Sequence, residues 1–435
     1  MSLPTADPYL PGHGDPGWSA RHYELELDYD LAGNRLDGTA TITAVALVDS
    51  ARVVLDLAWL AVKKVTLDGR TPKWAHREHR LILTPKQRLR AGQQFTIVVR
   101  YAGKPRPLID RHHGDAGWEE LTDGVIVAGQ PHGAPTWYPC NDRVDDKASY
   151  DIAVTAATNY TVVANGTLVR RTRRGSGETW HYRQTEPMPP YLATVQIGRY
   201  DLVDVTGEAP VPVTAAIPAG ALADYRRSFG RQGEMIAYFS EVFGPYPLPA
   251  YTVVVTDDDL EIPLESQSLS TFGRNFLTGR WEQVRLVAHE LAHQWFGNAV
   301  TMRRLQDIWL HEGFACYAEW LWSQAAGGDS ADAQARRHHA KLARQRRDLV
   351  LADPGPELMF DDRVYKRGAL TLHALRLTVG DRSFFTLLRT WVERHRGGSA
   401  TTADFEELTA QVCGERSALF DAWLREKTLP ELPPA

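Results

Sequence analysis

The stretch His289-Glu290-Leu291-Ala292-His293 places two imidazoles and a carboxylate within five residues, and Glu312 follows nineteen residues after the second histidine. Residues 281–296 around it carry apolar side chains at helical spacing and contain no proline or glycine. That pattern predicts an amphipathic helix. Positions i and i+4 share one face of a helix, so His289 and His293 point the same way, one turn apart. We therefore expect a helical segment that presents two metal-ligating side chains.

Glu312 completes a ligand set on a second predicted helix. A catalytic zinc site has three protein ligands and an open position, so His289, His293 and Glu312 predict one Zn²⁺ per chain. Glu290 is rotated about 100° from His289 around the helix axis, which leaves it free to act on the water of the zinc. Zinc lowers the pKa of that water to roughly 7, and Glu290 can pass its proton to a leaving amine. The alternative is a helix whose histidines and glutamates only face solvent.

Length and composition limit the class of protein. At 435 residues the chain exceeds the usual size of a single core, so two domains are expected. A net charge of -5 and 43% hydrophobic residues are typical of a globular protein that binds neither nucleic acid nor membrane. The basic segment 336–347 contains no aromatic residue between its charges, and we interpret it as a solvated helix face. Residues 1–15 lack the features of a signal peptide and no run approaches 18 apolar residues, which predicts a cytoplasmic location.

The order of patterns along the chain predicts an α+β protein with two domains. Alternating apolar residues at 23–31 and 39–48 predict strands, and Asp68-Gly69 predicts a hairpin turn. From about Ala219 the spacing becomes helical, with residues 221–243 expected as one long helix. Pro210 and Pro212 mark the change. We therefore expect an all-β domain over residues 1–205 and a mainly helical domain over residues 206–435.

The motif extends well beyond its five-residue core. The segment His289-Glu290-Leu291-Ala292-His293-Gln294-Trp295-Phe296-Gly297-Asn298, followed by Trp309-Leu310-His311-Glu312-Gly313-Phe314-Ala315, closely resembles the gluzincin aminopeptidases. This zinc family includes aminopeptidase N and leukotriene hydrolase. The resemblance implies that His289, His293 and Glu312 are the zinc ligands and that Glu290 is the general base. It also implies a saddle-like N-terminal β domain before a thermolysin-like, mainly α-helical catalytic domain.

Downstream, Val364-Tyr365-Lys366-Arg367-Gly368-Ala369 is similar to the Y-x-[KR]-G segment of this family. The resemblance implies that Tyr365 stabilises the oxyanion of the tetrahedral intermediate. Removal of one oxyanion donor costs about 10²- to 10³-fold in turnover. Without the resemblance, Tyr365 would be interpreted as a core tyrosine on an amphipathic helix.

Two further residues are expected to bind the substrate amine. Gln130 stands nine residues before Pro139, as in the family segment that ends in P-C-x-D, although Pro135 replaces an arginine that is frequent there. The family's G-x-M-E-N strand corresponds to Ile262-Pro263-Leu264-Glu265-Ser266, of which only the glutamate is unchanged. The resemblance implies that Gln130 and Glu265 hold the free N-terminus, for which a carboxylate is a suitable charged acceptor. The alternative for Glu265 is an exposed side chain in an acidic run.

Two residues near Glu312 carry further expectations. Glu319 lies seven residues later on the same helix face and resembles a glutamate that orients a ligand histidine, the alternative being a surface charge. Cys316 is expected to be a small packing residue, and the other cysteines, Cys140 and Cys413, are too distant in sequence to form a C-x-x-C motif.

Together these residues predict a zinc aminopeptidase that cleaves the first bond of peptides with a free N-terminus. The alternatives are an endopeptidase, a hydrolase of another acyl or epoxide substrate, and a non-catalytic module that binds an extended peptide along a strand. Long family members carry a further helical domain above the active site, whereas seventy residues follow Tyr365 here. We therefore expect an open cleft that admits longer peptides.

Overall fold

The computed structural model describes residues 6–434 of the chain. In that part, residues up to 199 form strands and two short 3-10 turns, Ala134–Thr136 and Pro190–Leu192. The strands are β1 (Trp18–Asp30), β2 (Arg35–Ala46), β3 (Val53–Asp56), β4 (Ala61–Leu67), β5 (Lys73–Arg77), β6 (Arg80–Thr84), β7 (Gln94–Gly103), β8 (Leu108–Asp110), β9 (Gly114–Leu121), β10 (Gly124–Ala128), β11 (Ala148–Ala157), β12 (Thr161–Ala164), β13 (Thr167–Arg174), β14 (Gly177–Met188) and β15 (Val195–Gly198).

These strands form three sheets. The largest has the order β13-β14-β11-β1-β2-β7-β4, and the others have the orders β12-β15-β10-β9-β8 and β3-β6-β5. Side chains alternate along β1 as the sequence predicts, with Tyr23, Leu25 and Leu27 buried between more exposed residues. Tyr23 stacks on Tyr150 of β11, with ring centroids 4.9 Å apart. The predicted all-β character of the N-terminal part is confirmed.

The predicted hairpin turn at Asp68-Gly69 is confirmed, because Leu67 and Arg70 on either side of it exchange two backbone hydrogen bonds. Both residues have positive φ, 48° and 72°, so the chain makes a tight turn between β4 and β5. Beyond that pair of residues the flanking strands separate, since β4 pairs with β7 while β5 pairs with β6. The turn therefore transfers the chain from one sheet to another, a choice made by pairing partners distant in sequence.

The second half of the chain surrounds a mixed sheet with helices. The sheet has the order β16-β17-β18-β20-β19, with β17, β18 and β20 parallel. The elements are β16 (Tyr200–Asp204), β17 (Val213–Pro218), α1 (Leu222–Phe229), α2 (Gln232–Phe243), β18 (Tyr251–Val255), β19 (Leu264–Ser266), β20 (Leu269–Phe272), α3 (Trp281–Ala292), β21 (Thr301–Met302), α4 (Trp309–Ala325), α5 (Ala331–Leu342), α6 (Asp362–Val379), α7 (Asp381–His395), β22 (Ser399–Ala400), α8 (Thr402–Cys413) and α9 (Ser417–Phe420).

The predicted α+β architecture, with a β domain before a mainly helical domain, is confirmed. Strand β16 pairs with β17, so the mixed sheet takes its first strand from residues before 205. The boundary at residue 205 stays a prediction. None of the helices within residues 6–434 combines the length and hydropathy that a bilayer crossing requires.

The prediction of one helix over residues 221–243 was wrong. The chain leaves helical geometry at Arg231 (φ -96°, ψ 12°), which separates α1 from α2. The two helices bury their apolar faces against different partners. Phe229 of α1 packs edge-on against Phe272 of β20, whereas Phe239 of α2 packs against Trp295, with centroid distances of 4.9 and 6.0 Å. A single straight helix would not reach both, and apolar periodicity carries no information on that choice.

Helices α4 and α6 cross at two glycines, Gly313 on α4 and Gly368 on α6. Glu312 immediately precedes the first of these, and Tyr365 lies one turn before the second. Helix α3 also packs on α4. The three helices therefore hold the predicted metal ligands, base and tyrosine at one place in the fold.

Candidate metal centre and active site

The three predicted zinc ligands meet between α3 and α4. His289 and His293 project from successive turns of α3, and their Nε2 atoms lie 3.3 and 3.5 Å from Oε2 of Glu312. The three side chains are at most 5% exposed. Two ring nitrogens and a carboxylate oxygen thus converge on one buried point.

Helix α3 ends at Ala292, one turn earlier than the sequence predicts, yet His293 keeps its position. Its backbone N–H still donates to the carbonyl of His289 at 3.2 Å, so the i,i+4 relation holds. Beyond it the chain tightens, because the N–H groups of Gln294 and Trp295 donate to carbonyls three residues earlier.

Hydrogen bonds at the far side of each ring fix the tautomers of the two histidines. Nδ1 of His289 lies 2.8 Å from Oε1 of Glu319, and Nδ1 of His293 lies 3.0 Å from the carbonyl oxygen of Phe296. Both acceptors require a proton on Nδ1, which leaves the Nε2 lone pairs facing Glu312. Glu319 therefore lies where a residue that orients a ligand histidine would lie.

Glu319 is buried and is held as a carboxylate by its neighbours. Burial alone would raise its pKa, but Lys366, the bond from His289 and Arg285 together lower the pKa to about 2. Nη1 of Arg285 donates to Oε2 of Glu319 at 3.0 Å. The orienting carboxylate is thus charged at any physiological pH.

The chemistry of these donors fits zinc. Zinc in catalytic sites takes imidazole nitrogen and carboxylate oxygen ligands, which are the groups that converge here. Burial lowers the pKa of both histidines, yet carboxylates, chiefly Glu312 for His289 and Glu265 for His293, raise these values to about 10 and about 9. The metal-free site would therefore hold a proton on each Nε2, and a divalent cation supplies the same positive charge to the same lone pairs.

Glu290 lies beside this point without joining it. It is 3% exposed, and its Oε2 atom has no hydrogen-bond partner within residues 6–434. Ligand atoms of Glu290, Glu265 and His293 lie within 4.8 Å of one another. Burial raises the pKa of Glu290 to about 8, although His289 opposes the shift. This side chain is a buried carboxyl group with a free oxygen, suited to proton exchange near neutral pH.

Tyr365 faces the site from the first turn of α6. Its ring is nearly parallel to that of His289, with centroids 5.9 Å apart. Burial, followed by the charges of Glu312, Glu265 and Glu290, raises the pKa of Tyr365 well above its ordinary value. Its hydroxyl group therefore remains protonated and can donate a hydrogen bond.

The three residues after Tyr365 each face a different partner. Nζ of Lys366 lies 3.3 Å from Sγ of Cys316, a fully buried residue that, as predicted, lies outside the ligand cluster. The guanidinium of Arg367 donates to backbone carbonyls of the C-terminal segment, those of Ala422, Trp423, Glu426, Lys427 and Thr428. Gly368 contacts α4. These contacts tie one turn of α6 to three other parts of the molecule.

Glu265 lies on β19, at the edge of the mixed sheet, opposite Ser270 of β20. Its carboxylate belongs to the group formed with Glu290 and His293. The altered residues that precede it lie outside the strand, which begins at Leu264, and Ile262 is 62% exposed. The proline at position 263 therefore removes no hydrogen bond from the pairing of β19 with β20.

Gln130 lies in the β domain, between β10 and a 3-10 turn. The metal cluster consists of His289, His293, Glu312, Glu290 and Glu265. No hydrogen bond within residues 6–434 joins Gln130 to it, and the buried Nε2 atom of Gln130 is without a partner there. The preceding residue, Gly129, approaches the carbonyl of Tyr191 so closely that a Cβ would lie 2.3 Å from it. The Gln130 loop is thus fixed against the segment that contains Tyr191.

Tyr191 was missed by the sequence reasoning. Its hydroxyl is buried without a hydrogen-bond partner in the described part of the chain, and burial followed by the charges of Glu265 and Glu312 raises its pKa well above the ordinary value. No motif spacing relates Tyr191 to residues on α3 and α4, so the sequence offered no signal for it.

Known proteins share both halves of this arrangement. Residues 227–423 match the peptidase family M1 domain, and residues 19–192 match the peptidase M1 N-terminal domain. The structure of a mutant two-domain M1 zinc metallopeptidase bound to L-arginine is 32% identical, has a TM-score of 0.89, and is covered over 99% of each chain. An M1 zinc metallopeptidase mutant from Deinococcus radiodurans, bound to a Tyr-Ser-Ala substrate, is 31% identical, with the same TM-score and coverage.

A longer relative is aminopeptidase M1-A of Oryza sativa subsp. japonica, which is 26% identical over 459 residues. That alignment covers 95% of this chain and 51% of the rice protein, so the chain spans about half the length of the curated relatives it matches. The resemblance seen in the zinc motif thus extends along nearly the whole chain. With 32% identity to a solved M1 metallopeptidase over 99% of its length, the chain belongs to peptidase family M1.

Proposed function

We propose that this chain is a zinc-dependent aminopeptidase that removes the first residue of peptides with a free N-terminus. The observation that carries the proposal is the convergence of His289, His293 and Glu312 on one buried point, with Glu290 and Glu265 beside it. A ligand set alone would support any zinc hydrolase. A carboxylate beside the base, on a sheet edge, adds a group that can bind an amine.

Glu290 acts as the proton carrier in this proposal. Zinc in the His289–His293–Glu312 ligand set supplies Lewis acidity, which acidifies water and polarises a peptide carbonyl. Glu290 accepts a proton from the attacking water at its unpartnered Oε2 atom and delivers it to the nitrogen of the leaving amine. Burial raises the pKa of its carboxyl group, which favours uptake of the proton from water.

Tyr365 stabilises the charge that develops on the carbonyl oxygen. Its hydroxyl remains protonated beside three carboxylates, so it can donate to an oxyanion. The anchored turn of α6 holds the ring beside His289 before substrate arrives. A donor fixed in advance needs no reorganisation during the reaction.

Glu265 and Gln130 hold the substrate amine. An ammonium group that leaves water needs a charge-assisted acceptor, and Glu265 lies close enough to His293 and Glu290 to place the first peptide bond at the reacting point. Gln130 contributes from the β domain. The Tyr-Ser-Ala and L-arginine complexes of the solved relatives support peptides with free amines as the substrate class. A cytoplasmic location stays a prediction.

Zinc analysis and two matched substrates test the proposal. We expect one zinc per chain by elemental analysis and turnover of aminoacyl amides, with N-acetylated counterparts cleaved far more slowly. Glu290→Gln should lower turnover by about 10²- to 10⁴-fold with zinc retained. Glu282→Gln, an exposed residue on the same helix, is the control and should behave as the unmodified chain.

Each alternative function has its own signature in that experiment. Unchanged turnover in Glu290→Gln with zinc bound would exclude the assigned base. Equal rates on free and acetylated peptides would favour an endopeptidase or another acyl hydrolase. Peptide binding with no hydrolysis of any reporter would support a binding module.

A further inference from the structure

The turn that follows Glu265 is held from two directions. Residues 267–268 connect β19 to β20, and Ser268 adopts a left-handed backbone conformation with φ 63°. A non-glycine residue in that conformation needs support from its surroundings. Ser266 and Ser268 are both buried, so the turn lies inside the molecule.

The metal-binding segment supplies part of that support. Gln294, directly after His293, accepts a hydrogen bond from Ser268 N–H at 2.8 Å and donates from Nε2 to the carbonyl of Ser266 at 3.1 Å. Asn298 donates from Nδ2 to the same carbonyl, also at 3.1 Å. Gln294 and Asn298 are fully buried. Two donors therefore fix the peptide group that begins at Ser266, the residue next to Glu265.

The β domain holds the same turn and the same segment. Nδ2 of Asn165 donates to the carbonyl of Gln267 at 2.7 Å, and Gly166 N–H donates to Oγ of Ser268 at 2.7 Å. Nζ of Lys147 donates to the carbonyl of Asn298 at 2.9 Å. Hydrogen bonds thus join the turn, the β domain and the segment that follows α3 in one unit.

We propose that Gln294 and Asn298 are positioning residues that set the distance between Glu265 and the metal ligands, and so limit cleavage to the first peptide bond. This inference rests on the proposed aminopeptidase function. A peptide anchored through its amine at Glu265 presents whichever bond lies at the metal ligands. The distance between Glu265 and the metal ligands therefore selects which peptide bond is cleaved. A misplacement of about 1 Å can cost about 10²-fold in rate.

Substitutions that remove the donors to Ser266 test the positioning role of Gln294 and Asn298. Asn298→Leu and Gln294→Met preserve approximate volume, and Asn298→Leu is the milder variant because it removes one donor to Ser266 and leaves both bonds of Gln294 to the turn in place. We expect kcat for an aminoacyl amide to fall about 10- to 10²-fold, because its bond no longer lies at the metal ligands, with KM changed less than about 3-fold. The preference for free over N-acetylated substrate should fall by a similar factor, with one zinc still bound.

Product masses supply a second readout. Pentapeptide digestion by the unmodified chain should release single residues, whereas the variants should also release dipeptides. Asn141→Leu is the matched control, because Asn141 is also fully buried and donates to two backbone carbonyls, those of Asp15 and Trp18 in the β domain. It should lose thermal stability like Asn298→Leu without any change in products or substrate preference.

Three results would overturn the inference. One is an unchanged preference and product pattern in the Gln294 and Asn298 variants with zinc bound. Another is loss of zinc in Asn298→Leu, which would mean that the residue serves the ligands rather than the anchor. If the unmodified chain itself does not distinguish free from acetylated substrates, the aminopeptidase proposal is wrong, and the positioning role that rests on it is wrong as well.

Discussion

A Cβ on Gly313 would lie 2.7 Å from Cα of Gly368, so α4 and α6 cross with their backbones in contact. The contact places Glu312 and Tyr365 on either side of the crossing, one residue and three residues away from it. A separation this small leaves no room for a side chain at either position.

Gly368→Ala should therefore destabilise the fold and slow turnover. Alanine improves helix propensity by up to about 1 kcal/mol, but overpacking costs about 1–3 kcal/mol, and backbone atoms cannot rotate away from the new methyl group. We expect a net loss of about 1–2 kcal/mol in unfolding free energy by denaturant titration. Gly33→Ala is the control, because its Cβ would meet only the movable end of the Asp30 side chain. Equal stabilities of the two variants would contradict the prediction.

Tyr365→Phe should lower kcat by about 10²- to 10³-fold, because it removes one oxyanion donor and leaves the ring in place. Steady-state kinetics should show a much smaller change in KM, and zinc content should stay at one per chain. Tyr101→Phe removes another buried hydroxyl that has no hydrogen-bond partner in the described part of the chain, far from the metal cluster in the β domain. If both variants keep full activity, Tyr365 has no part in the chemistry.

Glu319→Ala should weaken zinc binding about 10- to 100-fold, because His289 loses the acceptor that fixes its tautomer. Competition with a chromogenic chelator measures that affinity. Arg285→Met should have a smaller effect, since Arg285 contacts Glu319 and leaves the bond from Glu319 to His289 intact. A larger loss in Arg285→Met than in Glu319→Ala would assign the effect to charge balance instead.

Removal of zinc should make stability depend on pH in a defined direction. In the metal-free chain the pKa values of His289 and His293 are about 10 and about 9, above the ordinary value of about 6.5 in the unfolded chain. The folded state then binds more protons, so this contribution to stability is complete below pH ~6.5 and is lost as pH rises through 9 and 10. Zinc replaces those protons and removes the dependence.

Thermal unfolding with and without chelator tests the predicted pH dependence of stability in the metal-free chain. The difference in Tm between the zinc-loaded and metal-free chains should widen from pH 6.5 to pH 9. A constant difference across that range would show that the two histidines are already neutral in the metal-free protein.

How far the sequence predicts this protein depends on how local the determining contacts are. His289 and His293 follow from helical geometry within five residues, and the family segment identifies Glu312 nearby. Gln294 and Asn298 stood in the same segment, but their partner Ser266 lies on an edge strand whose register is set by β20. That register is a property of the sheet, which no spacing along the chain reveals.

Two other differences between the predicted and the observed fold also arise from contacts between residues distant in sequence. The break between α1 and α2 reflects two separate packing partners, Phe272 and Trp295, which are distant in sequence from the helix they divide. The transfer of the chain between sheets after Asp68-Gly69 likewise depends on β6 and β7, later in the sequence. Local pattern predicts which elements form, whereas long-range competition decides where they end and pair.

The anchored turn of α6 has a consequence for how such proteins can diverge. Each of its four residues contacts a different partner. Tyr365 faces the metal cluster, Lys366 contacts Cys316, Arg367 binds the C-terminal carbonyls, and Gly368 contacts Gly313. A one-residue insertion would rotate all four away from their partners at once. Natural variation in this helix should therefore concentrate before Tyr365 and near its exposed end, and substitutions within the turn should arise together with changes in their partners.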